Sequence, residues 1–184
     1  VGSEMCIRDR DKINVYFKGF VRSSPFIINM FSILIGIIFK SDVGLFYGLY
    51  AYGIDIINHY IKIFCKNVLY KNTDYIPLLG YGKRPDNAKN CGIFVDETNA
   101  NKPATSFGMP SGHSNFATLC ATFWIIYILK GGVKYNNIFH QIISILIILS
   151  ISYSIMISRY YLGCHTKEQI IFGGLMGILF GFIG

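Results

Sequence analysis

Pro110-Ser111-Gly112-His113 opens one apolar stretch, and Ser158-Arg159 closes the next, just before Gly163-Cys164-His165. Upstream stands Lys83-Arg84-Pro85. Proline suits the first turn of a helix, where its missing N–H costs nothing. Ser111, Gly112 and His113 would then offer free backbone N–H groups at the positive end of a helix dipole, which is an anion site. His113 titrates near neutrality and can hand a proton to a departing oxygen. Arg84 and Arg159 can grip phosphate oxygens with a planar fork that keeps its charge. His165 and Gln169 are four residues apart, hence on one helix face. Gln169 can accept from or donate to one imidazole nitrogen, which leaves the other free to attack phosphorus. Two histidines, two arginines and a helix start are the parts of a metal-free phosphoryl-transfer site.

The elements that must carry these groups are apolar and long. The chain has 184 residues, enough for one domain, of which 52% are hydrophobic and only 15% charged. Its mean hydropathy is +0.43. A soluble domain would carry about 25% charge. The apolar residues come in five blocks: 26–39, 43–64, 114–129 (from 111 if the motif is helical), 138–157 and 169–184. A membrane-spanning helix needs about 20 residues. The second and fourth blocks meet this, whereas the first reads as a short, tilted or re-entrant piece. The expectation is an all-α integral-membrane bundle of about five transmembrane helices, six in a full-length chain. The net charge of +7 then belongs to basic loops facing anionic lipid or phosphate, not to nucleic-acid binding.

Glycine spacing supports helix packing. Gly173, Gly177 and Gly181 recur every four residues in the fifth block, as do Gly44 and Gly48 in the second. Small residues at this spacing let membrane helices approach closely. Asp55, Asn58 and Lys62 share one face of the second block, and ionisable groups inside a membrane helix are usually functional. Alternate crossings then bring the Lys83-Arg84-Pro85 loop, the Pro-Ser-Gly-His start, Ser158-Arg159 and His165 to one membrane face. The long connection 65–109 lies on that same face, and such loops are often functional.

Five cysteines, Cys6, Cys65, Cys91, Cys120 and Cys164, include no C-x-x-C pair, so no zinc site is signalled. Cys65 and Cys91 flank the long loop and could pair if it faces an oxidising compartment, although sequence alone does not fix pairing. Residues 1–10 are polar and lack a signal-peptide core. They resemble a translated assembly scar, which leaves residues 11–184 as one membrane-embedded domain, truncated at both ends.

The three clusters together resemble the superfamily of type-2 phosphatidic acid phosphatases and vanadium haloperoxidases. Arg84-Pro85, Pro110-Ser111-Gly112-His113 and Ser158-Arg159 followed by His165 stand in that family's order, separated by 24 and 44 residues. The resemblance runs from Lys62 to about residue 182. It implies a helical-bundle lipid phosphatase in which His165 is the nucleophile and forms a phosphohistidine. His113 would protonate the leaving group, while Arg84, Arg159, Ser111 and the Gly112 amide hold the phosphoryl oxygens. No metal or other cofactor would be needed.

Two positions depart from the pattern. The family's first motif has a lysine seven residues before the arginine, where Pro77 stands here. Asn58-x-x-Ile61-Lys62 looks like the helix end that carries that lysine, with an insertion before Arg84. Lys62 is therefore the expected phosphate-binding lysine, with Lys83 the alternative. Gln169 replaces the Asp of many members. That Gln, Gly108-Met109 and His165-Thr166 are similar to dolichyl-diphosphatase-like members. A neutral orienter should stabilise an imidazolium less than a carboxylate would. The resemblance implies a polyprenyl (dolichyl-type) diphosphate as substrate first and phosphatidate second, with the site facing the lumen or extracytoplasmic side. A vanadate-dependent haloperoxidase-like enzyme is the same-fold alternative, and a non-catalytic lipid-binding membrane protein is the alternative from another class.

Overall fold

The computed structural model describes residues 2–86, 88 and 102–184, with side chains from residue 19 onward. Among these residues run five α-helices: α1 (Gly2–Ile38), α2 (Asp42–Phe64), α3 (Gly112–Leu129), α4 (Ile138–Tyr161) and α5 (Lys167–Ile183). The long connection holds a π-helical turn, Cys65–Leu69, and a small antiparallel hairpin. Its strands are β1 (Tyr75–Ile76) and β2 (Gly80–Tyr81), with Tyr75 opposite Tyr81.

Helices α2 to α5 each start at a short polar residue, because four N–H groups at a helix start lack an intrahelical acceptor. Ser41 caps α2, Ser111 caps α3, Asn137 caps α4, and Thr166 forms a reciprocal capping box with Gln169 at α5. Helix α3 thus begins at Gly112, and Pro110 precedes the cap instead of standing in the first turn. Helix α4 runs four residues past its apolar block, so Arg159 sits in its last turn rather than in a loop.

The first block departs most from expectation. Pro25 lies inside α1, which continues across it. The helical ladder tolerates the missing N–H because Ser24 Oγ donates to Val21 O at 2.9 Å, the carbonyl that Pro25 cannot serve. Among the described residues, two segments are long and apolar enough to cross a membrane, Gly19–Ile38 and Ile138–Tyr161. Helix α2 has the length, but Asp42, Asp55, Asn58, His59 and Lys62 dilute its apolarity. Helix α5 has only 17 residues.

The core joins Tyr47, Ala51 and Ile54 of α2 to Phe116, Leu119 and Phe123 of α3. Tyr50 Oη donates to Phe180 O at 2.7 Å, tying α2 to α5. Helices α3 and α5 meet backbone to backbone. A methyl group at Gly173 would strike the Ser111 carbonyl, and one at Gly177 would strike the Asn115 carbonyl. Thr118 Oγ1 crosses the same seam to Gly174 O at 2.8 Å. The outer side of α4 stays apolar and exposed at Ile142, Leu146, Leu149 and Tyr153, as a lipid-facing surface would.

The Cys65–Cys91 pairing that the sequence allows is not formed. Cys65 is a buried free thiol, packed with Tyr70 and Met109 in an apolar cluster under the loop. Burial in that cluster explains why it is kept from a partner. Cys91 lies outside the described residues. Cys164 is disulfide-bonded, and its partner half also lies outside them.

Candidate active site

One cavity of about 340 Å³ gathers the clusters that the sequence sets far apart. Its wall includes Lys62 from the end of α2, Gly112 and His113 from the start of α3, Arg159 from the end of α4, and Arg84 and His165 from the loops between. Asn58, Asp55, His59, Ser106, Phe116 and Pro25 complete it. Lys62, rather than Lys83, reaches this cavity. Lys83 pairs instead with Asp74 at 2.7 Å on the exposed surface.

His165 is buried and its tautomer is set by its neighbours. Its Nδ1 lies 3.0 Å from Gln169 Oε1. The amide of Gln169 can face only one way, because its Nε2 donates to Tyr81 O at 2.8 Å and to Lys83 O at 2.7 Å. The Oε1 must therefore accept, so Nδ1 carries the hydrogen and Nε2 keeps a lone pair. Burial, reinforced by the charges of Arg84 and Lys62, pushes the His165 imidazole well below its ordinary range. It stands as a neutral, oriented base.

Gln169 does more than orient. It is fully buried, and its amide holds the loop that carries Arg84 against the helix that follows His165. A carboxylate at this position could not donate to the Tyr81 and Lys83 carbonyls. That is a physical reason for Gln here.

Arg84 is anchored on its other sides. Its Nε donates to Ser106 O at 3.0 Å, Nη2 to Ser106 Oγ at 2.9 Å and Nη1 to Cys164 O at 2.9 Å. Burial lowers its pKa to about 10, which leaves it charged at neutral pH. Sequence reasoning misses Ser106, because a lone serine in a loop carries no signal beyond its closeness to Gly108-Met109. Arg159 is fully buried. Its Nε donates to Ser158 Oγ at 3.1 Å and Nη2 to Val21 O at 3.4 Å, while Nη1 has no partner.

Ser111 is placed differently from Gly112 and His113. It is fully buried and is not on the cavity wall. Its N–H donates to Gln169 O at 3.1 Å, and its Oγ accepts from Ser114 Oγ at 3.0 Å. Ser111 therefore builds the helix start, while Gly112 and His113 face the cavity. Gly112 also lets α3 approach Asn58, whose Nδ2 would lie 3.0 Å from a methyl group there.

The wall carries three cations, Lys62, Arg84 and Arg159, against one carboxylate, Asp55. Such an excess in a partly enclosed space calls for a multiply charged anion, since unpaired buried charge is costly. Among the described residues no three His, Cys, Asp or Glu side chains assemble as a metal-ligand set.

The PAP2 superfamily sequence profile matches residues 59–184, which hold most of this wall. The chain belongs to the PAP2 superfamily. Within it, the chain is 33% identical over 78 residues to Dolichyldiphosphatase 1 of Dictyostelium discoideum, covering 42% of this chain and 34% of that protein. It is 29% identical over 79 residues to Dolichyldiphosphatase 1 of Homo sapiens, covering 40% of this chain and 33% of that one. The matches thus span about a third of the length of these curated relatives. No solved structure matches the chain significantly. A PAP2 member with apolar helices of this length is a membrane protein, and its domain contains the cationic cavity just described.

Proposed function

We propose that the chain is an integral-membrane lipid phosphatase that releases phosphate from a polyprenyl (dolichyl-type) diphosphate or a lipid phosphate. The observation that carries this reading is the cavity wall. It combines three cations with a neutral, oriented His165 and a second histidine, His113.

In this reading the phosphoryl oxygens sit among Lys62, Arg84, the free Nη1 of Arg159 and the Gly112 amide. His165 Nε2 attacks phosphorus, and the bond to the lipid or phosphate leaving oxygen breaks. His113 gives that oxygen a proton. Water then cleaves the phosphohistidine, with His113 taking the water's proton back. Uncatalysed phosphate-monoester hydrolysis needs up to ~10²¹-fold help. Fixed cations aimed at the developing charge are the expected main source of it, and the reaction runs on them without a metal.

All five helices cross the bilayer in this proposal, with the polar residues of α2 facing the bundle and α5 completed by its packing on α3. The Cys164 disulfide supports an extracytoplasmic or luminal site, because disulfides persist in oxidising compartments. The test is phosphate release by the detergent-purified protein in EDTA. Polyprenyl diphosphate should be hydrolysed fastest, phosphatidate next, and His165→Ala should release nothing. Absence of release from either substrate by folded protein would defeat the reading in favour of a non-catalytic lipid-binding role.

A further inference from the structure

Helix α1 lies outside residues 59–184, the part matched by the family, yet its backbone reaches two groups of the cavity. The Arg22 carbonyl lies 2.8 Å from His113 Nε2. The Val21 carbonyl accepts from Arg159 Nη2 at 3.4 Å. Pro25 itself lines the cavity. Pro25 explains the Val21 contact, one residue along the same turn. Pro25 has no N–H to give Val21 O, so that acceptor is taken by Ser24 Oγ and Arg159 instead.

A carbonyl can only accept. His113 Nε2 must therefore carry a hydrogen, and Nδ1 is the nitrogen left to exchange a proton with a substrate. This is the relation that Gln169 has to His165, made by main chain instead of side chain. We propose that α1 is a working part of the site, in which the Arg22 carbonyl keeps a hydrogen on Nε2 of His113 and aims Nδ1 at the leaving oxygen, so that the imidazolium gives up its Nδ1 proton there and is left as the neutral Nε2–H form, ready to take the proton of the attacking water. Pro25 and the Arg22 main chain are positioning groups, and residues 59–184 alone do not make a complete site. This rests on the phosphatase reading, with His113 as its acid.

The position of α1 is set at a distance from the cavity. Its Gly36 touches α2 so closely that a methyl group there would lie 2.5 Å from Leu45 N. Gly36→Leu must push α1 away without altering any cavity residue. Pro25→Ala restores the missing N–H and redirects the Val21–Arg22 turn, and as a helix-favouring change it keeps a folded variant in hand.

The experiment uses the full chain in detergent with two substrates. Phosphatidate has an alkoxide leaving group that needs a proton, whereas p-nitrophenyl phosphate departs as a stable anion. Misplacing a general acid should cost about a hundredfold or more on phosphatidate, and much less on p-nitrophenyl phosphate. In parallel, ¹⁵N NMR of labelled histidine should report the Nε2–H tautomer of His113 in the wild type and a mixture in Gly36→Leu. Equal losses on both substrates, or no loss in either variant, would overturn the inference. If the wild type releases no phosphate, the phosphatase reading fails by itself and the NMR decides: a His113 tautomer unchanged by Gly36→Leu overturns the α1 contact, and a changed one upholds it.

Discussion

Among single residues, the proposed reaction depends most on His165 being neutral and aimed. Its imidazole is held below its ordinary range by burial and by Arg84 and Lys62. Protonation removes the attacking lone pair, so kcat/KM should fall on the acid side, with the limb below pH about 6.5. Arg84→Gln removes a like charge, so the same limb should move up toward 6.5 while the rate drops; a pH profile with p-nitrophenyl phosphate reads both. The unfolded histidine takes up a proton near 6.5 and the folded one resists it, so stability is full above that pH and declines below it. Gln169→Leu strips partners from His165 Nδ1 and from the Tyr81 and Lys83 carbonyls. The His165–Gln169 bond is buried, and a buried group left unpaired costs about 1–3 kcal/mol, so thermal unfolding should shift down and activity should fall. Most of the histidines and cations of the cavity stand out in the sequence because they lie at or just beyond the ends of apolar stretches; Arg84, in a polar loop, is found through the order of the motifs. Ser106 is not, because an anchoring hydroxyl looks like any loop serine until Arg84 is seen resting on it. Ser111 misleads for a related reason: only the folded chain brings Gln169 O to its amide.

Among the helices, the glycine repeat of α5 is a backbone contact rather than a composition accident. Gly177→Leu should cost about 1–3 kcal/mol by overpacking and lower the unfolding temperature. Gly53 in α2 has open space where a methyl group would sit, with nothing within 4 Å, so Gly53→Ala should be neutral or gain roughly 0.5–1 kcal/mol. Thermal unfolding of the two variants checks whether the packed face is the one described. Helix cores are readable from block length and caps. Helix ends are not, because Arg159 continues α4 past its last apolar residue. Pro25 reads as a break, yet Ser24 supplies a local donor to the carbonyl that proline leaves behind. The hairpin 75–81 hides in a polar loop, its strands too short to show alternation.

Across the molecule, the bundle brings four distant segments to one cavity at one end of the apolar helices. Alternate crossing of apolar blocks is enough to foresee that convergence, and it is the part of the fold that sequence carries best. The role of α1 is beyond such foresight, because main-chain carbonyls leave no trace in residue type. The exposed apolar side of α4 is the surface that lipid would cover in the proposed bundle. Washing membranes at alkaline pH should leave the chain in the pellet, and only detergent should extract it; release by the wash would argue against a spanning bundle.

A double displacement through His165 is the core of the proposed reaction. It can be read from the hydrolysis, in ¹⁷O-labelled water, of a phosphorothioate substrate made chiral at phosphorus with ¹⁶O and ¹⁸O. Two in-line displacements predict inorganic thiophosphate with net retention of configuration. Net inversion would mean that water attacks phosphorus directly and that His165 is not the nucleophile.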